Sequence, residues 1–235
     1  MENWREELYK KYTTNKGREN NPQLPNCVFY KKKIKPLLSR DKSIKILDLA
    51  AGHGDLLYCL KKDGYKNNTG IDISEEEVRK GREIGVKELI KNDIFNFLAK
   101  TDETYDLIFL TDILEHLERD AFFNLLKTVK KKLKNTGMLI IQVPNAEGLF
   151  GMRIRYGDIT HETAFTYNSL LQAITSVGFA GLTSYEVSPI KTGIKGILRN
   201  ILWHILIFPI RLILILETGS KKHFLSQNIL VKVSA

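Results

Sequence analysis

The sequence predicts an α/β protein with a doubly wound sheet, and three observations carry that prediction. An apolar strand, Ile46-Leu-Asp-Leu49, runs through Ala50-Ala-Gly-His-Gly-Asp55 into an amphipathic helix bearing Leu56, Leu57 and Leu60. Strand and helix patterns then alternate, with acids placed at the ends of successive strands. Finally, Tyr105-Asp-Leu-Ile-Phe-Leu110 is apolar almost throughout, as strands are when a parallel sheet is covered on both faces.

Each element follows from its residues. Residues 1–42 are polar and aromatic, interrupted by Pro22, Pro25 and Pro36, with a helical stretch over 28–34, and read as a helical cover. Strand one covers 44–49, and its helix stops at Gly64, suited to a left-handed cap. Strand two is 69–73. Ser74 with Glu77 three residues on forms a capping-box pattern for the next helix, which Gly85 closes. Strand three covers 87–91 and strand four 105–110. Phe122, Leu126, Val129 and Leu133 recur at helical spacing before a turn at Asn135-Thr-Gly137. Strand five, 138–143, ends at Pro144, which opens a long loop to Thr166. A helix over 167–177 has Thr166 as its N-cap, and strands six and seven lie at 182–187 and 229–233.

Length and composition bound the answer. The chain has 235 residues, enough for one α/β domain with a full core. Cys27 and Cys59 form no metal-ligand pair and no disulfide framework, which points to a reducing compartment, and the polar N-terminus carries no secretory signal pattern. The expected location is therefore cytoplasmic, at most at the inner face of a membrane. A net charge of +9 favours an anionic partner. The lysines fall in short clusters that suit solvated helix faces, and no recognised nucleic-acid module is present, so nucleic acid is not an expected partner.

Gly52 and Gly54 permit positive φ and close approach of a ligand, and the helix that follows opens with its amides toward that ligand. A dinucleotide turn has a third glycine where this chain has Leu57, and Asp48 before the turn would repel a pyrophosphate but attract a cation. The sulfonium and ammonium of S-adenosylmethionine are such cations. Asp72, 18 residues beyond Gly54, ends strand two beside Ile73, where an acid can accept both ribose hydroxyls. Asn92, Asp93 and Ile94 end strand three, where a carboxylate can accept an adenine amino group and an apolar side chain can cover the ring.

The series Asp48, Ala50, Gly52, Gly54 is similar to motif I of the class I methyltransferases, with alanine at the first glycine position. Together with Gly-Ile-Asp at 70–72, Asn-Asp at 92–93 and Thr111-Asp112-x-x-Glu-His-Leu117, it resembles the methyltransferase group containing the ubiquinone-pathway O-methyltransferases. That resemblance implies a Rossmann-like seven-stranded sheet whose antiparallel last strand is wedged between strands five and six, with Thr111 and Asp112 joining the cofactor site. The loop 144–166 resembles the acceptor loop of methyltransferases from surface-polysaccharide and sugar-modification pathways. Asn145, Arg153, Arg155, Tyr156 and Asp158 are then the substrate-binding candidates, and the acceptor a small polar, anionic or lipid-linked molecule.

Methyl transfer to an alcohol needs a base, since the hydroxyl proton leaves as oxygen attacks. His161 is the first candidate and His116, beside Glu115, the competitor. Asp112, Glu115 and His116 also admit reading as ligands of a divalent ion, but no further acid is placed to complete the shell, so no metal is expected. An NAD-linked oxidoreductase and a non-catalytic cofactor-binding scaffold at a membrane are the rival functions.

Between strands six and seven, residues 191–222 form an apolar helical insertion. The 16-residue run 201–216 holds His204, Pro209 and Arg211, short of the roughly 20 apolar residues that a bilayer crossing needs. Pro209 predicts two short helices or one kinked helix folded back over the domain. Residues 193–216 are thus expected to meet a membrane surface peripherally, a second copy of the chain, or the domain itself.

Overall fold

The computed structural model describes residues 24–235 together with Trp4, Arg5 and Leu8. The rest of the predicted cover before residue 24 lies outside the described residues. Seven strands form one sheet: β1 Ile46–Leu49, β2 Asn68–Asp72, β3 Leu89–Lys91, β4 Tyr105–Thr111, β5 Leu133–Pro144, β6 Ala180–Glu186 and β7 Asn228–Ser234. Their order is β3-β2-β1-β4-β5-β7-β6. The first five strands run parallel, and β7 lies antiparallel between β5 and β6, as the family resemblance implies.

Alternating side chains dress the two faces of this sheet. Leu47, Leu49, Ile108, Leu110, Leu139 and Ile141 point to one face, where helices α3 Ile94–Lys100, α4 Arg119–Lys132 and α6 Tyr167–Ser176 cover them. Ile46, Leu107, Phe109, Ile140 and Leu230 point to the other. There Leu60 and Cys59 of α1 Asp55–Lys62 meet Tyr30, Ile34 and Leu37 from the helical turns Tyr30–Ile34 and Lys35–Leu37. The described part of the N-terminal segment is therefore a cover over one sheet face.

That packing overturns one expectation. Cys27 and Cys59 form a disulfide across 32 residues, tying the segment before Tyr30 to α1. Sequence spacing carries no sign of it, because the two sulfurs meet only when Tyr30 and Ile34 seat on the sheet beside Leu60. The reducing-compartment argument from cysteine usage loses its ground with this pairing.

Element boundaries differ in places. β5 begins at Leu133 rather than at 138, because Leu133 pairs with Tyr105 before a register shift leads into the regular ladder from Met138. Helix α3 was not foreseen: Asp93 is its N-cap, its side chain accepting the Asn96 N–H at 2.9 Å. Ser74 caps α2 Glu75–Glu83 by accepting the Glu77 N–H, while the Glu77 carboxylate turns to His53. Thr166 caps α6 with a capping box shared with Ser169. The insertion is one unbroken helix, α7 Gly193–Thr218, with Pro209 inside it. Between β5 and α6 the loop carries the short helix α5 Gly151–Arg155.

Candidate active site

The carboxyl ends of β1, β2 and β4 open onto a cavity of about 630 Å³. Its floor is the glycine turn. The turn bends sharply because Ala50, Gly52 and Gly54 all take positive φ (60°, 55° and 82°), and Gly54 is the N-cap of α1. A Cβ on Gly52 would meet only Glu77 Oε2, at 3.9 Å, so that residue's outer side is open to the cavity it lines. Gly54 has another reason to be glycine, since a Cβ there would press on Val86 Cγ1 at 2.9 Å.

Hydrogen bonds lock the turn to β2. Ala51 N–H donates to Ile71 O at 3.0 Å, and Gly52 N–H to Asp72 Oδ2 at 2.7 Å. Asp72 Oδ1 accepts the Ser74 N–H at 2.8 Å. Burial raises the Asp72 pKa, opposed by these two N–H bonds. The imidazole of His53 lies between Asp55 (2.9 Å) and Glu77 (2.8 Å), whose carboxylates raise its pKa to about 9. It is an imidazolium at neutral pH.

Of the predicted cofactor residues, Ala50, Gly52, Asp72, Ile73, Asp93, Ile94, Thr111 and Asp112 line this cavity. Asp48, Gly54 and Asn92 are not in its wall. Asp48 is 1 % exposed, and burial, with the Asp72 charge behind it, pushes its carboxyl up to about 8. Asp48 therefore stands behind the turn, outside the cavity wall, which corrects the expectation from sequence that it faces a cation. Asp112 holds a left-handed backbone (φ 53°), braced by Gln142, whose Nε2 donates to Asp112 Oδ2 at 2.9 Å.

The far end of the cavity is made by His116, His161, Glu115, Ile154, Pro144, Gln227 and Asn228, with Arg5 from the N-terminal segment. The two imidazoles meet edge to face, 4.7 Å between centroids. Their tautomers follow from their partners. Thr160 Oγ1 donates its one proton to Asp158 Oδ1 at 2.6 Å, so in its 2.7 Å bond to His116 Nδ1 it accepts. His161 Nδ1 faces the carbonyl of Ile154 at 3.0 Å, which can only accept. Each ring is thus held through Nδ1, which donates to its loop partner. Ligand atoms of Glu115, His116 and His161 all lie within 4.8 Å of one another, so one carboxylate and two imidazoles share a proton or cation environment that sequence spacing alone did not assemble.

The predicted substrate residues take a different place. Asn145 is fully buried, and its side chain donates to Phe224 O and Ser226 O and accepts the Glu147 N–H, so it pins the loop rather than facing the cavity. Arg155 donates to the carbonyls of His161 and Glu162, and Asp158 holds Thr160. Arg153 and Tyr156 are exposed outside the cavity wall. Asn145, Arg155 and Asp158 thus shape the loop that carries His161. From the same loop the cavity takes Ile154 as well, and Gln227 and Asn228 arrive from the start of β7, with no local sequence signal to announce them.

The comparisons agree with this geometry. The family model described as a methyltransferase domain matches residues 24–184, more than half of the chain. No curated protein sequence matches. Among solved structures, a SAM-dependent methyltransferase from Archaeoglobus fulgidus superposes with a TM-score of 0.66 at 18% identity, covering 97% of this chain and 99% of that one. An S-adenosylmethionine-dependent methyltransferase from Mesorhizobium loti gives 0.62 at 17% identity, over 88% and 98%. The plantazolicin methyltransferase BpumL, in complex with SAH, gives 0.53 at 19% identity, over 88% and 79%.

The residues present fit S-adenosylmethionine: an open glycine cradle at Gly52, a strand-end acid at Asp72 for ribose hydroxyls, and apolar cover from Ile73 and Ile94. With fold, family model and cavity in agreement, the chain belongs to the methyltransferase domain family and is a class I enzyme that uses S-adenosylmethionine as its cofactor.

Proposed function

We propose that the enzyme methylates oxygen on a small polar acceptor of the sugar or glycan class, of the kind used in surface-polysaccharide synthesis. The observation that carries the reading is the histidine pair in the cavity wall, His116 and His161, 4.7 Å apart and each held through Nδ1 by the acceptor loop. An aliphatic hydroxyl is a poor nucleophile until its proton is taken, and imidazole titrates near working pH.

S-adenosylmethionine supplies a methyl group on a cationic sulfur. Asp72, Ile73, Asp93 and Ile94, which line the cavity with Gly52, would hold its adenosine part. His161 Nε2 accepts the acceptor's hydroxyl proton, and the Ile154 carbonyl stabilises the imidazolium that results, since it already takes the Nδ1 proton. His116, oriented through Thr160 and Asp158, stands by as the alternative base. The basic balance of the chain, +9, suits a phosphorylated acceptor.

The test is a screen of methyl transfer from labelled S-adenosylmethionine onto extracted sugar nucleotides and glycans, repeated with His161→Ala. Loss of the base should cut turnover on an alcohol by roughly a hundredfold or more while cofactor affinity holds. Near-normal turnover would remove His161 from the chemistry and favour an acceptor oxygen that is already anionic, such as phosphate.

A further inference from the structure

Helix α7 leaves most of its apolar surface uncovered. It spans 26 residues, about 39 Å at the usual rise, and is long and apolar enough to cross a membrane by length and composition. Yet only 6% of its most apolar 18-residue window is buried. One narrow stripe, Gly196, Asn200, Trp203, Ile207 and Arg211 at spacings of three and four, turns inward. Ile194, Ile205, Leu206, Phe208, Ile213 and Leu216 are exposed, Ile194 and Leu216 at 87 % and 85 %. A face of that size on a folded protein marks a partner or a membrane.

The inward stripe decides how the helix lies. Asn200 Nδ2 donates to Pro189 O at 2.7 Å, and Arg211 donates to both carboxylate oxygens of Glu186 at 3.0 and 2.9 Å. Glu186 ends β6, and its Oε1 also accepts the N–H groups of Leu225 and Ser226 just before β7. One carboxylate thus joins the strand that leaves the sheet, the middle of α7 and the chain that returns. A helix crossing a bilayer would have to break that junction and desolvate Arg211.

Charge decides what covers the outer face. Lys191, Lys195 and Arg199 cluster at the start of the insertion and Lys221 and Lys222 at its end, with Glu217 the single acid between 191 and 222. Two copies packed through this face would bring cationic ends together whether the helices ran parallel or antiparallel. Anionic lipid headgroups complement both ends at once, around an apolar face that can sink into the acyl boundary. Topology adds the orientation. β6 and β5 both pair antiparallel with β7, so the insertion leaves and rejoins the sheet at the carboxyl edge, where the cavity opens, and Gln227 and Asn228 line that cavity.

We propose that α7 is a monotopic docking surface for an anionic bilayer, lying in the membrane plane and holding the mouth of the cavity at the lipid surface. The proposal rests on α7 and its junction, independently of the acceptor's identity.

Flotation of the full chain with phosphatidylglycerol-containing vesicles and with pure phosphatidylcholine vesicles tests it. The chain should float with the anionic vesicles, bind the neutral ones much more weakly, and be largely released by high salt or alkaline carbonate. Lys195→Glu with Arg199→Glu should weaken anionic binding by about tenfold or more. Ile205→Ser with Leu206→Ser should do the same through lost apolar insertion, by about tenfold or more. All four residues are solvent-facing, so both variants should keep the parent's melting temperature and cofactor affinity. Equal binding to both vesicle types would overturn the proposal. So would failure to bind either, with a dimer in light scattering that Ile205→Ser/Leu206→Ser dissolves, which would assign the face to a second copy. Resistance to both salt and carbonate would overturn it in favour of a spanning helix.

Discussion

Asp72 accepts the backbone N–H of Gly52 at 2.7 Å, joining the end of β2 to the middle of the glycine turn. Its other oxygen accepts the Ser74 N–H at 2.8 Å, so the acid proposed to hold the cofactor's ribose also braces two backbone turns. Asp72→Ala should therefore act twice. Loss of charge-assisted bonds should weaken S-adenosylmethionine binding by about 1.5–3 kcal/mol in calorimetry, and the melting temperature should fall as well. A lower melting temperature with unchanged affinity would leave Asp72 as a turn brace only.

Ala50 holds φ at 60° where the family pattern has glycine. A left-handed backbone costs a residue with a Cβ about 1–2 kcal/mol, part of which is offset because alanine restricts the unfolded chain. Ala50→Gly should stabilise the protein by about 0.5–1 kcal/mol in urea unfolding, with cofactor affinity kept. A destabilised variant would show that the Ala50 methyl packs better than the turn is strained.

His53 gains protonation on folding, because Asp55 and Glu77 lift its pKa to about 9 from an ordinary value of 6.5. A raised folded-state pKa contributes stability that is fully present below the unfolded value and is lost as pH rises through the folded one. The wild type should lose melting temperature between about pH 7 and 9, and His53→Gln should flatten that part of the profile. Parallel profiles for the two proteins would mean that His53 is not an imidazolium in the fold.

Leu57 fills the hole that Gly70 leaves in β2. A Cβ on Gly70 would stand 2.4 Å from Leu57 Cδ1 and 3.0 Å from both Ala51 Cβ and Leu89 Cδ1. Gly70→Ala should destabilise by about 1–3 kcal/mol through overpacking. Leu57→Ala alone should cost about 2–5 kcal/mol. In a double-mutant cycle the pair should cost clearly less than the sum, and strict additivity would show that the two side chains do not share this space.

That contact also explains a departure that the sequence displays but does not account for. In a dinucleotide turn a glycine at the position of Leu57 lets helix and strand approach. Here Gly70, on the opposite wall, supplies the space instead. The alternation of strand and helix, the glycine turn at 52–54, the strand-end acids and the Thr166 cap are all legible in the chain, because each depends on residues within a few positions of one another. Helix α3 escapes such reading: at seven residues it holds only one helical repeat, Ile94, Phe97 and Leu98, and Asp93 serves both as N-cap and as a cavity wall.

By itself, then, the sequence determined the α/β class, the glycine turn and the two histidines, since local spacing and side-chain chemistry suffice for these. Tertiary structure alone decided how they are used. Thr160 and Asp158 meet His116 across 44 residues and set its tautomer, Cys27 finds Cys59 across 32, and Gln227 enters the cavity because β7 is inserted beside β5. It also buried Asp48 and turned Asn145 inward, making an acid behind the turn and a loop pin of two residues that local sequence reads as ligands. Burial and long-range pairing depend on the packed whole, and no window of neighbouring residues contains that information.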